Sequence, residues 1–473
     1  MRAKPILPLV SALALGACVA GPPPKIATPV PELPTEFFFA TDVADQGSLA
    51  ALLPQDDPAF AALTVAALAD APTLAEALAR IDVARAGADR AGAERLPNIG
   101  ADASVRATRT NPAQFGSNLP EGVSFDAEQT SYGANLTASW DPDLFGVLRA
   151  RERAAMARVN AASANAVAVR NALLAEIAST VIDWRTLDAR MASLTQDLEA
   201  AERLASLAGA REEAGIAPGF DRVRAEAAAA GSRSRRAALA SERNRLAGRL
   251  VTLTAQPGSE VLAALALSPP QASLPEAPRA VPSTLLTNRP DVLAAAANLA
   301  AADAELASAA RQRFPRLTLS GVLGLLAFDL GSLFDSDSFI YSGGGSLAAP
   351  LLDFGRIEAG IDAAAAEKRA AFAAYRGAVF TALGDAEAGY GLVAAADAEA
   401  AAAAIERDQL ERAARLADTR YRAGLTDFLT VLEARRAADA SGERAAAALG
   451  RAQRARIILW QALGGGENDR GPS

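Results

Sequence analysis

The sequence predicts a mainly α-helical fold with a small β part, built from one unit of helix, strand pair, very long helix and helix that occurs twice. Three observations predict it: residues that recur in register, runs of alternating polarity in each copy, and long stretches without proline. Tyr132, Phe145, Gly146, Arg211 and Gly215 recur 209 positions later as Tyr341, Phe354, Gly355, Arg420 and Gly424. Pro72, Arg95 and Pro97 recur 218 positions later as Pro290, Arg313 and Pro315. The offset changes only between Pro97 and Tyr132, so the first copy carries a loop nine residues longer there and is otherwise the same unit.

Composition removes most alternatives. The 473 residues exceed one ordinary domain, and hydrophobic residues make up 51% of them while aromatics supply only 5%. Alanine therefore carries much of the apolar surface, which suits long, closely packed helices. A net charge of -8 lacks the excess of Lys and Arg that nucleic acid or an anionic membrane surface would select, and no nucleic-acid partner is expected. With no histidine and one cysteine, the chain cannot build a His-based general base, a His/Cys zinc site or a disulfide framework. Glu212 and Glu213 read as solvated charges on a helix. The runs Gly343 to Gly345 and Gly464 to Gly466 are followed by no phosphate-binding lysine. No catalytic residue, metal site or cofactor is expected.

The first residues read as an address. Arg2 and Lys4 precede an apolar stretch from Ile6 to Leu15 that is too short to span a bilayer. Leu15-Gly16-Ala17-Cys18 resembles a bacterial lipoprotein cleavage box, with the only cysteine of the chain at the acylated position. Residues 1–17 are thus expected to be a signal peptide, with Cys18 carrying covalent lipid. Val19 is compatible with sorting to the outer membrane. Residues 18–58, which include Pro22, Pro23, Pro24, Pro29, Pro31 and Pro34, read as an acylated, extended tether.

The first repeat is expected over 59–256 and the second over 285–466, separated by a proline-rich linker at 257–284 and followed by a tail at 467–473. Pro72 to Arg95 and Pro290 to Arg313 open with proline at a helical start and close at a proline. Val147 to Arg211 and Arg356 to Arg420 contain no proline, and as helices each would span roughly 100 Å, more than any bilayer. Ile177, Val181, Trp184, Leu187, Met191, Leu194 and Leu198 are spaced by threes and fours, as in a coiled-coil seam or a plain amphipathic face. The helices Pro72 to Arg95 and Phe220 to Thr254, at roughly 36 and 50 Å, would nearly match the long one if stacked end to end.

The segments after Pro97 change period. Ile99, Ala101, Ala103, Val105 and Ala107 alternate with Gly100, Asp102, Ser104, Arg106 and Thr108, and the run from Tyr132 to Trp140 alternates likewise. Strand pairs are expected at about 98–109 with 131–140, and at about 316–326 with 339–349. Half-buried strands of a soluble domain would show the same pattern. If the strands lie in lipid, Leu136, Trp140, Leu317 and Leu319 face it. Four strands in lipid would leave edges that cannot be hydrated. Three chains would supply about twelve strands, an even number that closes as a barrel, so a homotrimer is the simplest solution.

Several segments then carry a resemblance. Arg289-Pro290-Asp291-Val292 opens the second copy, and Pro350-Leu351-Leu352-Asp353-Phe354-Gly355-Arg356 follows its strands. Arg420-Tyr421-Arg422-Ala423-Gly424-Leu425 continues into Asp427-Phe428-Leu429-Thr430-Val431-Leu432-Glu433-Ala434, and Ala462-Leu463-Gly464-Gly465-Gly466 lies near the end. In this order the chain resembles the TolC-like outer-membrane efflux proteins, in particular the lipoprotein channels of resistance-nodulation-division (RND) pumps.

The resemblance implies a trimer in which a 12-stranded β-barrel in the outer membrane continues into a long periplasmic α-helical barrel. Its implied role is the exit duct of a tripartite pump, passing drugs or other toxic small molecules outward without chemistry. The implied partners are a periplasmic adaptor (membrane fusion protein), an inner-membrane RND transporter and outer-membrane lipid. Leu429 and Glu433 would narrow the periplasmic aperture, and Tyr421 and Arg422 would hold neighbouring helices by contacting Asp221. A carboxylate of Glu433 stands where the family more often has Asp. Two rival readings are a protein-exporting duct of the same architecture and a non-conducting periplasmic adaptor or structural lipoprotein. The duplicated strand pairs speak against the latter.

Overall fold

A computed structural model describes residues 25–40, 43–44, 48–111, 128–216, 218–269 and 273–465. In chain order, β1 (Val43–Ala44) and α1 (Pro58–Asp70) come first. The first copy follows as α2 (Pro72–Ala93), β2 (Asn98–Arg109), β3 (Glu128–Trp140), α3 (Val147–Glu213) and α4 (Gly219–Thr254). Next come α5 (Gly258–Leu265), β4 (Ala277–Pro278) and α6 (Leu285–Asn288). The second copy is α7 (Pro290–Arg311), β5 (Arg316–Ala327), β6 (Phe339–Ala348), α8 (Arg356–Arg422) and α9 (Phe428–Ala462).

The duplication extends to element lengths. The helices α2 and α7 have 22 residues each, α3 and α8 have 67 each, and β2 and β5 have 12 each. The recurring residues mark the element ends. Gly146 and Gly355 have φ of 78° and 86° just before the long helices, and Gly215 and Gly424 have φ of 70° and 72° just after them, a left-handed region that glycine enters without penalty. There the Ile216 N–H donates to the Arg211 carbonyl at 2.9 Å, and the Leu425 N–H donates to the Arg420 carbonyl at 2.8 Å. Both are Schellman closures that satisfy the last carbonyls of a helix. At the other end of α3, Asp143 accepts from the N–H groups of Leu148 (2.9 Å) and Arg149 (2.8 Å), and Asp353 accepts from that of Ile357 (2.8 Å) at α8.

The chain forms two compact units. One comprises the described residues within 1–29, 82–161 and 296–373, and the other those within 30–81, 162–295 and 374–473. The first unit holds an antiparallel sheet of order β2-β3-β5-β6, so the two strand pairs join through β3 and β5. Around it Arg95 pairs with Glu152 (2.5 Å), Arg158 with Glu305, and Leu306 packs on Ile361 and Ala365.

The second unit contains the main core. Ile177, Val181, Trp184, Leu187 and Leu194 of the expected seam are buried, while Met191 and Leu198 are half-buried. Ile177, Val181, Trp184 and Leu187 meet Leu63, Leu250, Val292, Val379, Leu459 and Trp460 in one cluster. By length and composition α3 and α7 could cross a membrane, each with a window of mean hydropathy 1.2. Their apolar content is largely alanine, and α3 spends it against neighbouring helices: Ala150, Ala154, Ala175 and Ala178 are buried.

The expected linker and tether both make contacts with the main core. Outside 270–272, the segment 257–284 carries apolar residues at helical spacing that proline counting overlooks. Val261 and Leu265 of α5 and Ala277 of β4 are buried in the main core, and β4 pairs in parallel with β1. The Tyr390 hydroxyl donates to the Pro278 carbonyl at 2.8 Å. The expected tether likewise anchors before residue 58: Phe37 packs on the Tyr390 ring at 5.3 Å between centroids, and Leu52 and Leu53 are buried. Asp57 then starts α1, accepting from the Ala59 N–H at 2.8 Å while its carboxylate meets Arg185 at 3.0 Å. The strand pairs themselves fall at 98–109 with 128–140 and at 316–327 with 339–348. The signal peptide, Cys18, most of the long loop of the first copy and the tail lie outside the described residues.

Candidate functional site

Two constellations hold the predicted residues, one in each unit. In the sheet, directly paired residues share a face, so the register assigns every position. Leu136 pairs with Ala101 and Leu323, Trp140 with Leu319, and Leu317 with Leu347. Leu136, Trp140, Leu317 and Leu319 therefore lie on one face, together with Ile99, Val105, Tyr132, Leu325, Phe339 and Tyr341. The opposite face carries Asp102, Ser104, Arg106, Asn135, Thr137, Thr318, Ser320 and Ser342, interrupted by Val322, Leu326 and Ile340.

Within the chain this apolar face is uncovered: Ile99 is 71% exposed, Leu136 51% and Tyr341 81%. Its aromatic residues are Tyr132 and Phe339 toward one end, Tyr341 level with Leu323 and Leu136, and Trp140 at the other end, where its Nε1–H donates to the Arg95 carbonyl at 2.9 Å. Beyond Tyr132 the face closes with the ion pair Arg109–Glu128 at 3.2 Å. An apolar band flanked by aromatic girdles is the pattern of a strand surface in hydrocarbon. In the sheet β2 and β6 each have one neighbour, so such a surface needs further strands at both edges.

The second constellation is built from the turns that end the long helices. Tyr421, the last but one residue of α8, is 4% exposed and packs edge-on against Phe428 of α9 with centroids 6.0 Å apart. The Arg211 guanidinium lies over the Tyr421 ring at 4.7 Å, joining the end of the first copy's long helix to the second's. Leu204, Ala208, Ala225, Val431 and Leu432 complete this small core. The second turn is capped by Asp427, whose carboxylate accepts from the Thr430 N–H at 2.8 Å, a bond that holds its pKa below the ordinary range. The first turn is braced instead by Arg222, which bridges Glu212 (2.9 Å) and Glu226 (2.8 Å).

Leu429 and Glu433 lie one helical turn apart on α9 and both are exposed, whereas Leu432 between them is buried. The spacing thus places the leucine and the carboxylate together on the face of α9 that turns away from the chain's own core. Asp221 is half-buried in the first turn of α4, a favourable place for a carboxylate. Inside one chain it meets neither Tyr421 nor Arg422. Arg422 pairs with Asp418 at 3.0 Å, one turn back on its own helix.

Sequence reasoning passed over the role of Arg289. Its guanidinium is buried and forks onto Asp291 (3.0 and 2.7 Å), Asp385 (3.0 Å) and the Ala462 carbonyl (3.0 Å). Beside it, a Cβ on Gly464 would stand 2.7 Å from the Asn288 carbonyl oxygen, and the Gly464 carbonyl accepts from Asn171 at 2.9 Å. The only sequence signal was a charged residue before a helix-starting proline.

Comparison with known proteins agrees on one group. The sequence profile of the family described as outer membrane efflux protein matches residues 63–256 and 281–465. The chain is 31% identical to the pyoverdine export outer membrane protein OpmQ of Pseudomonas aeruginosa over 417 residues, covering 87% of this chain and 86% of that one. It is 28% identical to the solvent efflux pump outer membrane protein SrpC of Pseudomonas putida, covering 97% and 98%. Its fold superposes on the crystal structure of a membrane protein from Pseudomonas aeruginosa with a TM-score of 0.84 at 27% identity, covering 95% and 98% of the two chains.

Proposed function

This chain belongs to the outer membrane efflux protein family, and on that premise we propose that three copies close their sheets into one barrel and form the outer duct of a tripartite pump. It is an outer-membrane exit duct with the TolC-like fold. The observation that carries the trimer is the sheet, apolar and uncovered on one face, polar on the other, with a strand at each edge that has one neighbour. Three such sheets make about twelve strands with the polar faces turned to a common lumen.

Cargo passes through without reaction, handed over by an inner-membrane transporter of the RND class through a periplasmic adaptor. The names of the relatives, one a pyoverdine exporter and one a solvent efflux protein, differ in cargo. That difference fits a water-filled duct that selects little and small molecules as cargo. Cys18 carries lipid that anchors the chain in the outer membrane beside the barrel. At the periplasmic mouth, Leu429 and Glu433 of three chains converge, and Asp221 meets Tyr421 and Arg422 of a neighbouring chain to hold the mouth narrow. Purified protein inserted in a planar bilayer tests the reading: discrete conductance steps from a trimeric sample are expected, and a trimer that leaves the bilayer insulating under every condition would refute it.

A further inference from the structure

A cavity of about 400 Å³ lies where α3, α4 and α9 converge, and two acidic side chains project into it, Asp197 from α3 and Asp439 from α9. Both line this one cavity, and each carboxyl bears on the other's titration. The Oδ2 atom of Asp197 is buried without a hydrogen-bond partner among the described residues. A carboxylate only accepts, so the two groups can bond to each other only while one of them holds a proton. Burial, reinforced by Asp439, pushes the Asp197 carboxyl up to about 8, and burial raises Asp439 as well.

The surrounding charges leave the pair largely to itself. From α4, Arg235 faces both carboxyls but also meets Ser232 (3.2 Å) and Glu443 (4.0 Å). From α3, Arg190 is engaged by Glu443 at 3.3 Å. From α9, Arg435 faces Asp439, Arg436 lines the cavity, and Glu443 adds a further negative charge. The internal repeat shows that the pair is no inherited feature of the scaffold. The offset of 209 places Glu406 where Asp197 stands and Ala230 where Asp439 stands, and Glu406 pairs with Arg444 at 2.6 Å.

Asp439 lies seven residues, two helical turns, beyond Leu432, which packs with Tyr421 and Phe428 at the turn. We propose that Asp197 and Asp439 form a proton-dependent latch that ties α9 to α3 beside the aperture and loosens as the surroundings turn alkaline. The inference rests on the reading that α9 lines the aperture. Its sign follows from proton linkage: the latched state binds the extra proton, so latching is strongest in acid and weakens as pH rises through the ordinary carboxylate range toward about 8. Above that the latched pair is itself charged and the weakening stops. One proton corresponds to at most about a tenfold change in the latching equilibrium per pH unit.

Two readouts on the full-length trimer test this: backbone hydrogen exchange of α9 near Asp439, corrected for the intrinsic pH dependence, and conductance in a planar bilayer. Both should rise severalfold between pH 6 and 8 in the wild type and level off above. In Asp197→Asn, and separately in Asp439→Asn, an amide donor replaces the shared proton, and both readouts should stay flat near the low-pH level. A wild type without a pH response, or variants that keep it, would overturn the latch. An exchange step that vanishes in both variants while no condition gives conductance would uphold the latch and fault the duct.

Discussion

Arg289 donates from Nη1 to the carbonyl oxygen of Ala462 at 3.0 Å, tying the start of the second repeat to the last residue of the final helix, 173 positions away. The same guanidinium reaches Asp291 and Asp385, so a single buried cation holds three segments. Arg289→Ala would leave the Ala462 carbonyl without its donor, at a cost of about 1 to 3 kcal/mol, while Asp291 and Asp385, each about half exposed, would be taken up by water. Arg289→Lys would keep the charge but lose the fork. Thermal unfolding should rank wild type above Lys above Ala; an Ala variant as stable as the wild type would show that the contact is incidental.

The sheet register predicts a parity rule. Leu136→Arg and Leu319→Arg would place a cation on the apolar face, at a depth-dependent cost of about 2 to 4 kcal/mol near the bilayer midplane. Thr137→Arg and Thr318→Arg, one residue along each strand, should assemble normally. The measurement is the yield of heat-resistant trimer in outer membranes. Equal losses on both parities would mean that neither face meets lipid.

Removing charge at the aperture should change what crosses it. Three Glu433 side chains near one axis would concentrate negative potential, so Glu433→Gln should lower cation preference. Among the described residues Arg422 pairs with Asp418 alone, and an exposed pair of this kind contributes little to folding. Arg422→Ala should therefore leave the fold intact and raise resting conductance, if Arg422 serves a contact between chains. Bilayer recordings of both variants at matched protein amounts check this, and unchanged conductance and selectivity in both would move the gate elsewhere.

Lipidation gives a separate handle. Cys18→Ala should abolish labelling by a radioactive fatty acid, while the barrel keeps the trimer in the membrane fraction. Efflux should fall only in part. Recovery of the variant in the soluble periplasm would make the lipid, rather than the strands, the anchor.

Much of this architecture could be read from the chain itself because its signals are local. Strand parity shows in Ile99 to Ala107, and helix ends show in Gly215 and Gly424, whose positive φ recurs with the repeat. The one-turn spacing of the exposed Leu429 and Glu433 is likewise local. What escaped reading depends on partners far apart in sequence. Nothing near Arg289 announces Ala462, and nothing near Asp197 announces Asp439, 242 residues on. The packing of the 257–284 linker escaped because its prolines are conspicuous, while the buried anchors of α5, Val261 and Leu265, are few.

The order β2-β3-β5-β6 has a consequence for how a barrel would be put together. Both repeats meet at β3 and β5 inside one polypeptide, so every joint between chains is of a single kind, β6 of one molecule against β2 of the next. A ring of three then has three equal seams and no spare one, and one molecule with a spoiled β2 edge leaves it open. In a cell making sound and edge-defective chains together, intact rings would fall roughly as the cube of the sound fraction. A lesion in one strand edge would thereby act dominantly, poisoning rings whose other two members are faultless.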